Sequence, residues 1–224
     1  MKICFITEGG LNEFWDSLIK MKTEVLCFGF NGMGLVDYKQ ELDGDTNYFE
    51  DLALLSKEIN CVVISGCETD TYGVKRLSVV IADKGKILGV SDMVHIIDNS
   101  SYECGSGFRV YDTSCGKIGM IVSTDLFFPE AIRVLALCDS DVIISVFGDV
   151  IDSLPQVMMR ANSYANGIAI CMCARGYSQI SDIQGKILYS SPENKVSHDI
   201  NIKKDYHLIE SRQRGYYKEF NTSY

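Results

Sequence analysis

The 224-residue chain has no run of basic residues, no long apolar run and only three prolines. Acidic residues (30) outnumber lysine and arginine (21), which gives a formal charge of −9. Nucleic acids and anionic membranes are bound by clustered Lys and Arg, so neither is expected as a partner. The apolar stretch near the N-terminus, residues 2–6, is too short for a signal-peptide core or a membrane span. We therefore expect a cytoplasmic protein.

Patterns typical of disulfide frameworks and metal sites are also missing. The nine cysteines are odd in number, show no framework spacing and lie mostly in apolar runs, which predicts reduced thiols in the core. Cys171 and Cys173 are placed to face the same side of one strand, but no CxxC pair or His accompanies them. The sequence therefore predicts no metal site, and nothing in it calls for a cofactor.

Internal repeats, proline-rich linkers and low-complexity tracts are absent as well. Apolar residues make up 46% of the chain and charged residues 23%, as in ordinary soluble globular proteins. A chain of this length fits one core better than two. We predict a single domain over residues 1–224.

Short β-branched runs alternate with helical patterns along the chain. Helical spacing predicts helices over residues 11–21 and 46–60, and prolines at 129 and 155 fit the first turns of two more. Three pairs of strands flank glycine-containing turns, which predicts three β-hairpins. The predicted strands cover residues 2–6, 24–30, 61–64, 77–82, 86–90, 108–112, 117–123, 141–147, 167–174, 178–182 and 186–189.

The strands 141–147 and 167–174 are apolar nearly throughout, which is expected of strands covered on both faces. The pattern indicates a layered α/β protein. It does not decide between a Rossmann-like sheet and a two-sheet sandwich, although the hairpins favour mixed sheets.

Four ordered segments carry a more specific signal, and together they resemble the nitrilase superfamily of carbon–nitrogen hydrolases. The most informative, GKIGMIVSTDLFFPEAIRVLALCDSDVIISVF (residues 116–147), resembles that family's nucleophile strand and the helix after it. The others are GKILGVSDMVHI (85–96), RANSYANGIAICMCARG (160–176) and GYSQISDIQGKIL (176–188). The resemblance implies a four-layer α–β–β–α sandwich with two mixed β-sheets. It also implies a homodimer formed through the helical outer face.

The family's catalysis uses a Cys nucleophile, a Glu that acts as base and acid, and a Lys that stabilises the tetrahedral intermediate. The equivalent positions here are Ser123 for the Cys, Phe30 for the Glu and Met93 for the Lys. A Ser hydroxyl needs a base to become a nucleophile, and Phe30 is not one. Because losing one member of such a unit can cost on the order of 10⁴ to 10⁶ in rate, we predict no amidase or nitrilase activity by the family route.

Four further positions retain the family pattern and are predicted to support the old pocket: His95, Thr124, Asp125 and Glu130. Other positions depart from it, since Ala165 replaces the Glu and Asn162 the second Arg of the Arg-Ala-Arg-Ala-x-Glu-Asn helix. The resemblance then implies a non-catalytic protein with a regulatory or scaffold role, which binds a small amide- or carboxylate-like ligand or a protein partner. A structural subunit of a hetero-oligomer is a further alternative.

An active enzyme is the competing hypothesis, in which Ser123 belongs to an atypical site for hydrolysis of an amide. His95 or Asp92 would then have to serve Ser123 as the base. Phe30 is placed by strand pattern alone, so the acids of the neighbourhood, such as Glu24, or the thiol of Cys27 remain alternative occupants of the base position.

Overall fold

The computed structural model describes residues 1–18, 21–97 and 101–205 and contains two mixed β-sheets. In the first sheet the strand order is β13-β1-β2-β4-β5-β6, and β3 pairs with the far end of β4. The pairings β1–β2, β2–β4 and β3–β4 are parallel. The strands are β1 (Lys2–Ile6), β2 (Val25–Phe28), β3 (Gly34–Asp37), β4 (Val62–Thr71), β5 (Val74–Asp83), β6 (Lys86–Asp92) and β13 (Val196–Asp199).

The second sheet has the order β12-β11-β10-β9-β8-β7, with β8, β9 and β10 parallel to one another. Its strands are β7 (Val110–Thr113), β8 (Gly116–Val122), β9 (Val142–Asp149), β10 (Ile170–Arg175), β11 (Tyr177–Ser181) and β12 (Ile187–Ser191). The helices are α1 (Leu11–Leu18), α2 (Tyr38–Asp43), α3 (Tyr48–Glu58), α4 (Pro129–Leu137) and α5 (Leu154–Asn166), with a 3₁₀ turn at Ser123–Phe127.

Alternation along the strands divides the apolar side chains among three buried layers. Ile3 and Phe5 of β1 join a cluster between the two sheets, whereas Cys4 and Ile6 face α1 and α3 on the outside of the first sheet. On β9, Ile143 faces the layer that holds α4 and α5. The order of layers is therefore helix, sheet, sheet, helix, as the sequence predicts.

The three predicted hairpins and the strand–helix–strand unit β2–α3–β4 are present. Six of the nine cysteines are buried in the core, and all nine are free. Cys171 and Cys173 both face the cluster between the sheets, and burial raises the pKa of the Cys171 thiol. No helix in the described ranges has both the length and the apolar character needed to cross a bilayer.

Some boundaries differ from those predicted. The helix predicted over 11–21 runs from Leu11 to Leu18, and residues 19–20 lie outside the described residues. The strand predicted over 24–30 ends at Phe28, so Phe30 lies in a turn. The strand predicted over 61–64 continues to Thr71 and forms a long hairpin with β5. The sequence did not predict β3, α2 and β13, because each of these elements is short. β13 is a strand only through its pairing with β1, and β3 only through its pairing with β4.

Candidate functional site

Phe30, just after β2, lies against Gly66 in the middle of β4, and both lie against the opposite sheet. A Cβ built on Gly66 of β4 would lie 2.8 Å from Cγ1 of Val146 in the opposite sheet and 2.9 Å from Cα of Phe30. Val146 is paired in register with Val122, the residue before Ser123. The fold therefore brings the Phe30 and Ser123 positions to the same end of the sandwich.

Ser123 lies at the turn from β8 into the helical segment, with a positive φ of 49°. A positive φ is uncommon for a residue with a side chain, and such turns occur where a strand-to-helix junction presents a nucleophile. Its side chain is only 8% exposed. Within residues 1–18, 21–97 and 101–205 no hydrogen bond joins the Ser123 hydroxyl to another group, so no base is placed to take its proton.

Met93 follows β6 on the inner face of the first sheet and is 4% exposed. The Thr124 hydroxyl lies 3.2 Å from the Met93 sulfur and donates to the His95 carbonyl at 2.7 Å. Phe30 is half-buried against the same inter-sheet cluster. The two positions predicted to correspond to the family's base and lysine therefore carry apolar side chains that pack in the inter-sheet cluster.

Asp125 organises the remaining polar groups. Its carboxylate accepts from the Val94 and His95 backbone N–H groups at 2.9 and 2.7 Å and lies 2.9 Å from His95 Nδ1. Burial raises the pKa of Asp125, and the hydrogen bonds from Val94 and His95 oppose that shift. The His95 ring stacks on Phe128 with 3.9 Å between centroids. His95 thus braces the loop after β6 through Asp125, which is a structural role.

The other candidate bases lie elsewhere. Asp92 precedes Met93 on the strand and so faces the opposite side of the sheet, where it accepts from the Ser78 hydroxyl at 2.7 Å. Glu24 is at the start of β2, where it accepts from the Lys2 backbone N–H at 2.6 Å. Cys27 is fully buried between the sheets. None of the three hydrogen-bonds to Ser123 in the described part of the chain.

A charged cluster that the sequence did not predict lies on the β4–β5 hairpin. Lys75 Nζ is 3.3 Å from Glu68 Oε1, and the Tyr102 hydroxyl donates to Glu68 Oε2 at 2.5 Å. Burial and the Glu68 carboxylate raise the pKa of Tyr102 to about 12. The sequence signal for this ion pair is the Tyr72–Gly73 turn, because the turn brings Lys75 of β5 back beside Glu68 of β4.

Glu130 is exposed in the first turn of α4, where its charge favourably meets the helix N-terminus. With Arg133 it lines a surface groove of about 470 Å³ between α4 and α5. At the groove the Arg133 guanidinium donates to the Ala165 carbonyl at 3.3 Å, and the Asn162 amide donates to the Leu126 carbonyl at 2.9 Å. Asn162 and Ala165 therefore link α5 to α4 and to the turn after Ser123.

Phe30 and Met93 thus present apolar side chains to the inter-sheet cluster, the Lys75–Glu68 ion pair lies on the β4–β5 hairpin, and no base hydrogen-bonds to Ser123 in the described part of the chain. Among the described residues no group of three or more His, Cys, Asp or Glu side chains is placed to hold a metal ion. Such a site can bind a small molecule by apolar contact and one charged interaction.

Comparison with known proteins agrees with this fold. A model of the carbon-nitrogen hydrolase family matches residues 7–202. A probable nitrilase of Schizosaccharomyces pombe is 24% identical over 87% of this chain and 82% of its own length. A nitrilase of Pyrococcus abyssi is 30% identical over 69% of this chain, which spans 59% of that relative.

Solved structures show the same architecture. An amidase from the nitrilase superfamily of Nesterenkonia AN1 superposes with a TM-score of 0.79 at 15% identity, over 98% of this chain and 97% of the other. A carbon-nitrogen hydrolase of Helicobacter pylori G27 gives 0.72 at 17% identity, over 100% and 95%. With the family match over most of its length, the chain belongs to the carbon-nitrogen hydrolase family, and its fold is the nitrilase sandwich.

Proposed function

We propose that this member of the carbon-nitrogen hydrolase family does not hydrolyse amides or nitriles and instead binds a small amide- or carboxylate-like molecule at the old pocket, in a regulatory or scaffold role. The observation that carries the proposal is the set of three replaced positions. Phe30 and Met93 are apolar side chains packed in the inter-sheet cluster, and the Ser123 hydroxyl has no hydrogen-bonded base in the described residues.

The physical argument concerns charge in the transition state. Attack on an amide builds an oxyanion, which preorganised donors or a cation must stabilise, and it needs a base to activate the nucleophile. Met93 has no proton to donate, and Phe30 has no lone pair to accept one. His95, one of the two candidate bases for Ser123, is instead held 2.9 Å from Asp125.

The test is ammonia release from a panel of primary amides and nitriles, with an active amidase of the family as the positive control. We expect release by the protein to equal the buffer background at enzyme concentrations where the control is complete within minutes. Release that exceeds the background and is lost in Ser123→Ala would overturn the proposal.

One observation favours the alternative, an amide hydrolase built around Ser123. Ser123 has a positive φ, and strained backbone of this kind clusters at active sites. In this alternative His95 would have to leave Asp125 and turn toward Ser123. A bell-shaped or sigmoidal pH dependence of amide hydrolysis, abolished in both Ser123→Ala and His95→Ala, would favour it.

We also propose a homodimer formed through the outer face of α4 and α5. Both helices carry exposed large apolar side chains, which monomeric proteins rarely gather on one layer. These are Val134, Leu137, Leu154, Val157 and Tyr164. Light scattering should give about twice the 25.0 kDa chain mass at micromolar concentration. A mass near that of one chain would exclude the dimer.

The nine free cysteines support a reducing compartment, and we propose the cytoplasm. The charge of −9 supports a partner other than nucleic acid.

A further inference from the structure

The inner face of the first sheet carries a charged pair between the two positions whose charges have been lost. Met93 follows β6, Phe30 follows β2, and β4 and β5 lie between these two strands in the sheet. Glu68 of β4 pairs in register with Leu77 of β5, and the Met93 backbone N–H donates to the Leu77 carbonyl at 2.8 Å. Glu68 therefore lies in the same lateral row as the Met93 position.

The orientation of the pair follows from strand alternation. Val62 and Ile64 of β4 face the inter-sheet cluster, and Glu68 shares their parity. Leu77 packs on the same cluster, and Lys75, two residues before it, shares its face. The 3.3 Å contact between Lys75 Nζ and Glu68 Oε1 is a diagonal pair on that face.

The segment around Tyr102 holds the pair in place. Tyr102 packs against the inter-sheet cluster and donates to Glu68. The Glu103 backbone N–H donates to the Lys75 carbonyl at 2.8 Å, and that of Gly105 to the Met93 carbonyl at 2.8 Å. Glu68 is therefore engaged through both oxygens, and its role is to position the Lys75 ammonium group.

Lys75 is the group of the cluster with binding capacity to spare. An ammonium group has three N–H donors, and the ion pair with Glu68 uses one. The Lys75 side chain is 41% exposed, so a ligand has access to it. An anionic oxygen gains more from such a donor than a neutral amide oxygen does.

We propose that Lys75 is the anchor for the carboxylate of a small monocarboxylate whose apolar body lies against Phe30, Leu77 and Met93. The inference rests on the proposed binding function and narrows its ligand from amide- or carboxylate-like molecules to carboxylates. Glu68 and Tyr102 are positioning residues that fix the Lys75 side chain. Phe30, Leu77 and Met93 offer no partner for a second charge on the ligand. A second carboxylate would also meet like charge, because Glu68 lies 3.3 Å from Lys75 and Asp70 pairs with Lys75 in register across the hairpin.

The test compares butanoate with butanamide, which have nearly the same shape and differ in charge. We expect the wild-type protein to bind butanoate at least about tenfold more tightly than butanamide, as measured by isothermal titration calorimetry or ligand-observed NMR. Equal Kd values for the two probes would overturn the proposal. The absence of detectable binding of either probe at about 10 mM would also overturn it.

Variants assign the preference to Lys75. Lys75→Met should remove the preference for butanoate, whereas Lys75→Arg should keep this preference because the charge remains. Lys86→Met, at an exposed lysine of the neighbouring strand, is the matched control and should leave the preference unchanged. A Lys75→Met protein that unfolds at the wild-type temperature and still prefers butanoate would place the anchor elsewhere and overturn the proposal. If Lys75→Met does not fold, the wild-type comparison still decides.

The same samples separate this inference from the proposed function. Ammonia release from butanamide contradicts the non-hydrolytic function. The Kd ratio of the two probes, measured with Ser123→Ala when turnover interferes, judges the carboxylate anchor independently.

Discussion

Gly66 of the first sheet packs directly against Phe30. The space that a side chain on Gly66 would need is filled by the Phe30 backbone and ring and by Val146. Phe30, the residue predicted to stand at the family's base position, thus packs against the inter-sheet cluster. A glycine is needed here because of space, since its φ is not positive.

Gly66→Ala should therefore destabilise the protein by about 1–3 kcal/mol, because two of the three closest atoms belong to backbone or to a β-branched side chain that cannot move far. Gly148→Ala is the matched control, since it lies near the end of a strand of the opposite sheet and a Cβ there meets nothing within 4 Å. Urea unfolding of both variants measures the difference. Equal stabilities would mean that the sheets are further apart than described.

Asp125→Asn should lower the free energy of unfolding by about 1–3 kcal/mol. Asp125 accepts from two backbone N–H groups through different oxygens, and an asparagine would turn an N–H₂ group toward one of those donors. Asp112→Asn, at an exposed position of β7, should change stability by less than about 0.5 kcal/mol. An Asp125→Asn protein as stable as the Asp112 variant would contradict the bracing role of Asp125.

The strained backbone at residue 123 gives a comparison of two substitutions that both remove the hydroxyl. Ser123→Gly should be more stable than Ser123→Ala by about 1 kcal/mol, because glycine adopts the positive φ without the Cβ penalty. Thermal unfolding of the two variants measures this difference. A more stable alanine variant would show that residue 123 does not have a positive φ in solution.

Restoring the family's lysine should be unfavourable in this chain. Met93→Lys places an ammonium group at a position 4% exposed, and an unpaired buried charge costs about 3–5 kcal/mol. Met93→Leu, which keeps the position apolar, should cost less than about 1.5 kcal/mol. Denaturant unfolding distinguishes the two. If both variants lose the same stability, the surroundings of residue 93 are open to water or already supply a partner for the lysine.

The layered fold was predictable because its hairpins and helix starts have local signals. Glycine-containing turns predict the three hairpins, and prolines predict the starts of α4 and α5. The motif segments on both sides of Ser123 predict where β8 ends and α4 begins. The β4–β5 hairpin was not predicted, since its Tyr72–Gly73 turn has positive φ at both residues and tyrosine is a weak signal for that conformation.

Ser123 and Met93 could be assigned to the site because motifs on either side fix their register, and the two assignments stay predictions. The Glu68–Lys75 pair could not be predicted, because its residues meet only through the pairing of two long strands. Nor does the sequence tell on which face Asp92 lies. That side chain faces away from Ser123 because it alternates with Met93, which packs between the sheets.

The most direct test of the central claim is reaction of the protein with a fluorophosphonate probe, followed by intact mass spectrometry, with Ser123→Ala as the control. An activated serine is modified stoichiometrically, whereas a serine without a base is not. We predict an unchanged mass for the wild-type protein, equal to that of the treated control after allowing for the substitution. Stoichiometric modification of the wild-type protein that is absent from Ser123→Ala would contradict the non-catalytic account.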